Sequence, residues 1–243
     1  MGANSSTFVL VHGGWHGGWC WSRAAPLLRA AGHAVWTPTL NGLADRAGLL
    51  TIDTGLETHI DDVVALIDAE HLERVVLVGH SYAGMVIAGV AAARPEQIAS
   101  LVYLDAFVPT VGDSLLSLLS PERAAFYREQ ATSRGEGWRV PPPPIAALGI
   151  TAQEDVAWLE AMLTDQPLRS FEEPLPLSAR RTMKKIYIHC TQGPIVTSFA
   201  PFAARASSDP DWDYHEIATG HDAMITAPHA LSSLLLDLAP EEQ

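Results

Sequence analysis

A serine set between an apolar run and a helix of small residues is the feature of this chain best placed to do chemistry. The stretch reads Arg74-Val75-Val76-Leu77-Val78-Gly79-His80-Ser81-Tyr82-Ala83-Gly84, then Met85-Val86-Ile87-Ala88. A strand that turns sharply into a helix lifts the serine hydroxyl into the open and holds its backbone under strain. Small residues are needed where strand and helix approach each other. Gly79, Ala83 and Gly84 supply them, with Ala83 standing in the last place of the G-x-S-x-G pattern. A serine so placed is a nucleophile for acyl transfer once a base takes its proton. A chance strand–serine–helix turn is the competing reading, and the flanks on both sides argue against it.

A second run, Phe8-Val9-Leu10-Val11-His12-Gly13-Gly14-Trp15-His16-Gly17-Gly18-Trp19, ends a strand in a Gly-rich loop. Its backbone N–H groups can face an oxyanion, where such donors contribute several kcal/mol in the transition state. The expected hole is the N–H of Gly14 with the N–H of Tyr82, the residue after the nucleophile. No Gly-Lys-Ser/Thr follows and the spacing is not G-x-G-x-x-G, which argues against a nucleotide site. The base is expected late in the chain, in a loop after the last strand. Among ten histidines, His221 in Ala218-Thr219-Gly220-His221-Asp222 fits that place. His215 falls inside the strand, His229 on the final helix, and His12 and His80 belong to the two turns as loop-organising residues.

These motifs resemble the compact α/β-hydrolases that include plant methylesterases, hydroxynitrile lyases and bacterial esterases of similar length. The resemblance runs over most of the chain, through His12-Gly13-Gly14 with His16-Gly17-Gly18-Trp19, the Ser81 turn and the His221 loop. It implies Ser81 and His221 as catalytic residues and the Gly14 and Tyr82 amides as oxyanion donors. The plant enzymes place an aspartate after the strand matching Lys184–Cys190, but here Thr191-Gln192-Gly193-Pro194 follows, without a carboxylate. Some α/β-hydrolases take the acid from the end of the strand next to the nucleophile strand. Leu101-Val102-Tyr103-Leu104-Asp105-Ala106-Phe107-Val108-Pro109 matches that form, so Asp105 is the expected acid. A cap for the following loop is its plainer role. Asp222 is the second choice, disfavoured because a chain neighbour seldom reaches its own histidine's Nδ1 well.

The expected reaction is hydrolysis of a small carboxylic ester, needing no metal and no organic cofactor. Hydroxynitrile lyase chemistry is the nearest alternative; in the family it goes with a lysine after the catalytic histidine, and Asp222 carries the wrong sign. A ligand-binding, receptor-like protein with vestigial esterase activity is the alternative from another class. Trp15, Phe107, Trp138 and Trp158 are the expected substrate-binding residues, with Tyr82 and Phe126 as further aromatics that could line an apolar pocket. Each is equally an ordinary core aromatic.

The elements that must hold these residues alternate. Strands are expected near 7–11, 34–37, 74–79, 99–104, 184–190 and 213–217, and helices over 22–31, 57–69, 83–93, 198–207 and 228–238. Several strands are apolar throughout, as a strand covered on both faces must be. The pattern predicts one doubly wound, mostly parallel six-stranded α/β domain over 1–243. Residues 109–182 break it with Pro141-Pro142-Pro143-Pro144 and helical stretches near Pro121–Thr132 and Ala152–Leu163. They read as a helical lid inserted after the strand ending at Asp105.

Composition narrows the partners. The 243 residues are 48% hydrophobic and 18% charged, with 15 Lys and Arg against 28 Asp and Glu, so the formal charge of −13 repels nucleic acid and anionic lipid. Cys20 and Cys190 fit no metal or redox spacing, and no apolar run suits a signal peptide or a membrane span. Met1-Gly2-Ala3-Asn4-Ser5-Ser6 matches the loose myristoylation pattern, which is easily met by chance. A cytoplasmic protein is expected, and a homodimer is compatible with the chain.

Overall fold

Strands that are apolar at every position end up in the middle of a sheet, because both of their faces must be covered. The computed structural model describes residues 5–176 and 183–239. Its elements run β1 (Thr7–Val11), α1 (Ala25–Ala30), β2 (Ala34–Trp36), α2 (Leu56–Ala69), β3 (Val75–His80), α3 (Ala83–Ala93), β4 (Ile98–Leu104), α4 (Pro121–Arg134) and β5 (Arg139–Val140). There follow α5 (Gln153–Met162), β6 (Gln166–Pro167), α6 (Arg169–Glu172), β7 (Lys184–Cys190), α7 (Val196–Ser208), β8 (Trp212–Ile217), α8 (Ala223–Thr226) and α9 (Pro228–Leu238). Six strands form one sheet in the order β2-β1-β3-β4-β7-β8, and each neighbouring pair is parallel. This is the doubly wound α/β architecture expected from the sequence.

Alternation along the strands divides the core in two. Val9, Leu77, Leu101 and Tyr187 pack beneath α2, α3 and α7, while Phe8, Val76, Val102 and Ile186 pack beneath α1 and α9. β3 is buried at all six positions, whereas β8, at the sheet edge, is exposed at Asp213 and Glu216. One element differs from expectation. The helix expected over 22–31 is only Ala25–Ala30, preceded by a tight 3-10 turn over Gly18–Trp21. Pro26 fits only in the first helical turn, where its missing N–H costs nothing, and that fixes the start.

The parallel sheet brings the loops after β1, β3, β4 and β8 to one end. Residues 109–176 leave the sheet there and carry α4, α5, α6 and an antiparallel ribbon of β5 with β6. The two helices expected in this segment are present as α4 and α5; residues 177–182 of the expected lid lie outside the described residues. The segment is tied to the loop after β1, with Thr164 N–H donating to the Trp15 carbonyl (3.0 Å) and the Trp15 indole N–H to the Val140 carbonyl (2.9 Å). No described helix is long and apolar enough to cross a membrane.

Candidate active site

Ser81 follows β3 directly and adopts φ 55°, a left-handed conformation that side chains other than glycine rarely take. The turn is held from both sides. Ser81 N–H donates to the Leu104 carbonyl (3.2 Å), and its own carbonyl accepts from Gly84 N–H (3.1 Å) and Phe107 N–H (3.2 Å). A Cβ at Gly79 would come within 2.7 Å of the Ala83 carbonyl oxygen, and one at Gly13 within 3.0 Å of Ser81 Cβ. The stricter demand after the serine is at Gly84, whose added Cβ would overlap the Phe107 carbonyl. Alanine at position 83 is therefore accommodated, because the close approach is made one residue later.

Asp105 follows β4 in the same way, with φ 42° and its N–H bonded to the Ile188 carbonyl at 2.7 Å. Its buried carboxylate accepts from three groups: Oδ2 from His221 Nδ1 (2.6 Å), and Oδ1 from His189 Nδ1 (3.1 Å) and Cys190 N–H (3.3 Å). Burial penalises the charge, but the bonds from His189 and His221 outweigh it and hold the carboxyl below the ordinary carboxylate range. With Nδ1–H given to Asp105, Nε2 of His221 is the nitrogen with a free lone pair. The ring lies flat against Phe199, with centroids 4.7 Å apart and an angle of 17°.

Asp222 does not reach this position. Its carboxylate is fully buried and faces His16 Nε2 (3.3 Å) and His80 Nε2 (3.5 Å). Burial, with His221 adding to it, pushes His80 down to about 3, so the ring is neutral and donates from Nε2 to the His221 carbonyl (3.1 Å). His12 accepts from Leu40 N–H (3.0 Å), so it organises its loop as expected. Among the described residues, His80, His221 and Asp222 form the one group with the makings of a metal site, their ligand atoms lying within 4.8 Å. It fits an ion poorly: His80 Nε2 is bonded, and Gly13 backs onto its Nδ1, which a Cβ there would approach to 2.8 Å.

Ser81, Tyr82 and His221 open into one cavity of about 60 Å³. Trp15 and Phe107 line it as expected; Trp138 and Trp158 do not. Trp158 packs edge-on against Trp19 beneath Arg23, and Trp138 lies under Arg139. Phe126 is half exposed at the surface. Most of the remaining wall, including Leu119, Tyr127, Leu148 and Phe171, comes from the 109–176 segment, with Ile195, Ser198 and Phe199 added at the start of α7, and none of it carries a motif. Gln166 is equally silent in the sequence. It is fully buried and accepts the Trp15 N–H (2.9 Å), leaving the neighbouring Gly14 N–H unengaged among the described residues. His189 also escapes a reading of the sequence, because a histidine inside an apolar strand gives no signal of its partner.

Comparison with known proteins gives the family and the fold. The sequence profile of the alpha/beta hydrolase family matches residues 8–234. A carbendazim hydrolyzing esterase from Nocardioides sp. (strain SG-4G) is 41% identical over 243 residues, covering 96% of this chain and 99% of that protein. Salicylic acid-binding protein 2 of Nicotiana tabacum is 31% identical over 217 residues, covering 76% of this chain and 78% of its own. In fold, an extracellular alpha/beta-hydrolase from a Paenibacillus species superposes with a TM-score of 0.82 at 23% identity, over 97% of this chain and 100% of that one. The chain belongs to the alpha/beta hydrolase family and to its ester-hydrolysing members.

Proposed function

We propose that the protein cleaves small carboxylic esters through an acyl-enzyme on Ser81. The observation that carries this reading is the 2.6 Å bond from His221 Nδ1 to the buried Asp105 carboxylate, with Ser81 on a left-handed turn in the same cavity. His221 Nε2 takes the Ser81 proton as Oγ attacks the ester carbonyl. The Gly14 and Tyr82 N–H groups receive the negative charge that develops on the carbonyl oxygen. The C–O bond to the alcohol breaks, and the alcohol leaves with the proton from His221. Water then gives a proton to His221 and attacks the acyl carbon; the C–Oγ bond breaks, His221 returns the proton to Ser81 Oγ, and the acid is freed. Asp105 holds the imidazole in its working tautomer and stabilises the imidazolium.

The cavity favours a flat, apolar substrate. Trp15, Phe107, Tyr127 and Phe171 present aromatic surface, and Arg123 at the rim is a cation able to meet an acceptor on the substrate. The Nocardioides relative extends the candidates to carbendazim. Residues 109–176 act as a lid that excludes water from the acyl-enzyme except for the attacking molecule. Cys20 and Cys190 are buried, free thiols, which supports a reducing, cytoplasmic setting.

Hydrolysis of nitrophenyl esters, aromatic methyl esters and carbendazim by wild type beside Ser81→Ala tests the reading. Turnover in wild type, lost in the variant with the thermal midpoint within about a degree or two, is expected, since the substitution removes one partly buried hydroxyl that faces the cavity. Retained turnover in Ser81→Ala rejects the nucleophile.

A further inference from the structure

His16 has no part in the proton transfers above, yet it is 2% exposed and lies between two acceptors, the Gly14 carbonyl and the Asp222 carboxylate, which His16 and His80 keep ionised against its burial. Its Nδ1 is 2.7 Å from the Gly14 carbonyl, and its Nε2 is 3.3 Å from Asp222 Oδ2. A neutral imidazole has one N–H and would leave one of these contacts as a repulsion between lone pairs. The ring is stacked on Trp19, with centroids 5.4 Å apart, so it cannot turn freely to escape. Both bonds exist together when the ring carries two protons and the carboxylate none.

The two acceptors belong to different loops. Gly14 supplies an amide of the proposed oxyanion hole, and Asp222 follows His221 directly. His80 closes the circuit. Its Nε2 donates to the His221 carbonyl at 3.1 Å and stands 3.5 Å from Asp222 Oδ1. We propose that His16 is a positioning residue, held as an imidazolium, that clamps the oxyanion loop at Gly14 to the histidine loop at Asp222. A buried ion pair is a poor device for stability alone, because desolvation cancels much of its attraction. Its value here is geometric: it fixes the spacing between an oxyanion donor and the base.

The surrounding groups leave the charge where the geometry puts it. From the loop after β1, His12 is pushed down to about 3 by burial and is neutral. From the end of β3, His80 is neutral for the reason given above. From the 3-10 turn, burial raises the Cys20 thiol well above its ordinary value. His221 gives its Nδ1–H to Asp105, so Asp222 is the acid that faces His16. Burial alone would lower His16, but the charge and the hydrogen bond of Asp222 raise it instead.

The test has two arms, and the first does not depend on the proposed esterase reading. In ¹⁵N spectra of wild type at pH 7, where a free imidazole is mostly neutral, and with His16 assigned through the backbone, both ring nitrogens are expected to be protonated. An unprotonated nitrogen on His16 overturns the proposal whatever the protein hydrolyses. The second arm rests on the esterase reading and uses a nitrophenyl ester. His16→Gln offers one amide nitrogen to two acceptors, so either the Gly14 carbonyl or the buried Asp222 is left facing an amide oxygen. Removing an oxyanion donor outright costs about 10²–10³, so displacing one should lower kcat by about 10- to 100-fold, with KM changed less than about threefold. Adding Asp222→Asn gives the facing side chain an amide N–H to donate to the introduced glutamine's oxygen. This double variant is expected to recover at least about fivefold over His16→Gln. A loss confined to KM, or a double variant no better than the single one, contradicts the clamp. Wild type inert on every ester would instead sink the esterase reading and leave the ¹⁵N result to decide the protonation.

Discussion

Ser81, Asp105 and His221 stand at the carboxyl end of the main sheet, whereas Leu119, Tyr127, Leu148 and Phe171 reach the same cavity from the 109–176 segment. In the first group, Ser81 and Asp105 are fixed by the hydrogen-bond ladder itself, and His221 is held to them through Asp105 and through His80. Ser81 N–H bonds to β4 and Asp105 N–H to β7, so each residue's place is set by its neighbouring strand. The second group is held by side-chain packing: Tyr127 meets Phe171 edge-on at 5.5 Å, and Trp15 meets Phe171 at 5.6 Å. Ladder positions tolerate little, because a shift of one residue would turn the side chain to the other face. Packed walls accept exchange of one apolar side chain for another at modest cost. On the proposed mechanism, the sheet end carries the reaction and the excursion carries the choice of substrate.

The largest effect that would break this division is expected at Asp105. Asp105→Asn should lower kcat by about 10⁴ on every ester, because the asparagine cannot hold the working tautomer of His221. A loss of only a few-fold would return the acid role to another group or to a dyad. On the opposite wall, Tyr127→Ala and Leu119→Ala should change the ratio of kcat/KM between an aryl ester and an acetyl ester by about tenfold, since lost apolar contact in a pocket is worth about 1–3 kcal/mol. A uniform fall across the ester panel would mean that the wall serves the chemistry too.

How much of this could be read from the chain follows from the same division. The Ser81 turn is contiguous, so its strand, glycines and helix sit in one readable window. Asp105 is marked because it ends an apolar strand and precedes Ala106, Phe107 and Pro109. Gln166 gives no such signal, since its partner, the Trp15 amide, is 151 residues away. Trp138 and Trp158 have the right residue type for a pocket, but type does not state which layer a side chain joins. Trp158 fills the space between Trp19 and Arg23 instead. The Gly18–Trp21 turn leaves no mark in the sequence, because its hydrogen bonds are local and its glycine suits many conformations.

The smallest expected effect is on stability, and it sharpens the view of the sheet end as a dry frame. Burial pushes His12 and His80 down to about 3 and His59 to about 4, so all three are neutral in the fold. Once unfolded they take up protons below the ordinary histidine value near 6.5. Unfolding then binds protons, and stability falls with pH by up to about 1.4 kcal/mol per unit for each of them. His16 acts in the opposite sense: its raised value gives stabilisation that is complete below 6.5 and fades as pH rises through its folded value. Three groups against one predict a thermal midpoint that drops steadily from pH 6.5 to 5. A midpoint unchanged over that interval would mean that these histidines are reached by water.

The central claim is that Ser81 carries the acyl group between two half-reactions. Rapid acid quench of the enzyme turning over a nitrophenyl ester, followed by intact-mass measurement and peptide mapping, reads this directly. The account predicts one added acyl mass, placed on Ser81 and absent from Ser81→Ala. Turnover with no adduct at saturating ester, or an adduct on another residue, would contradict it.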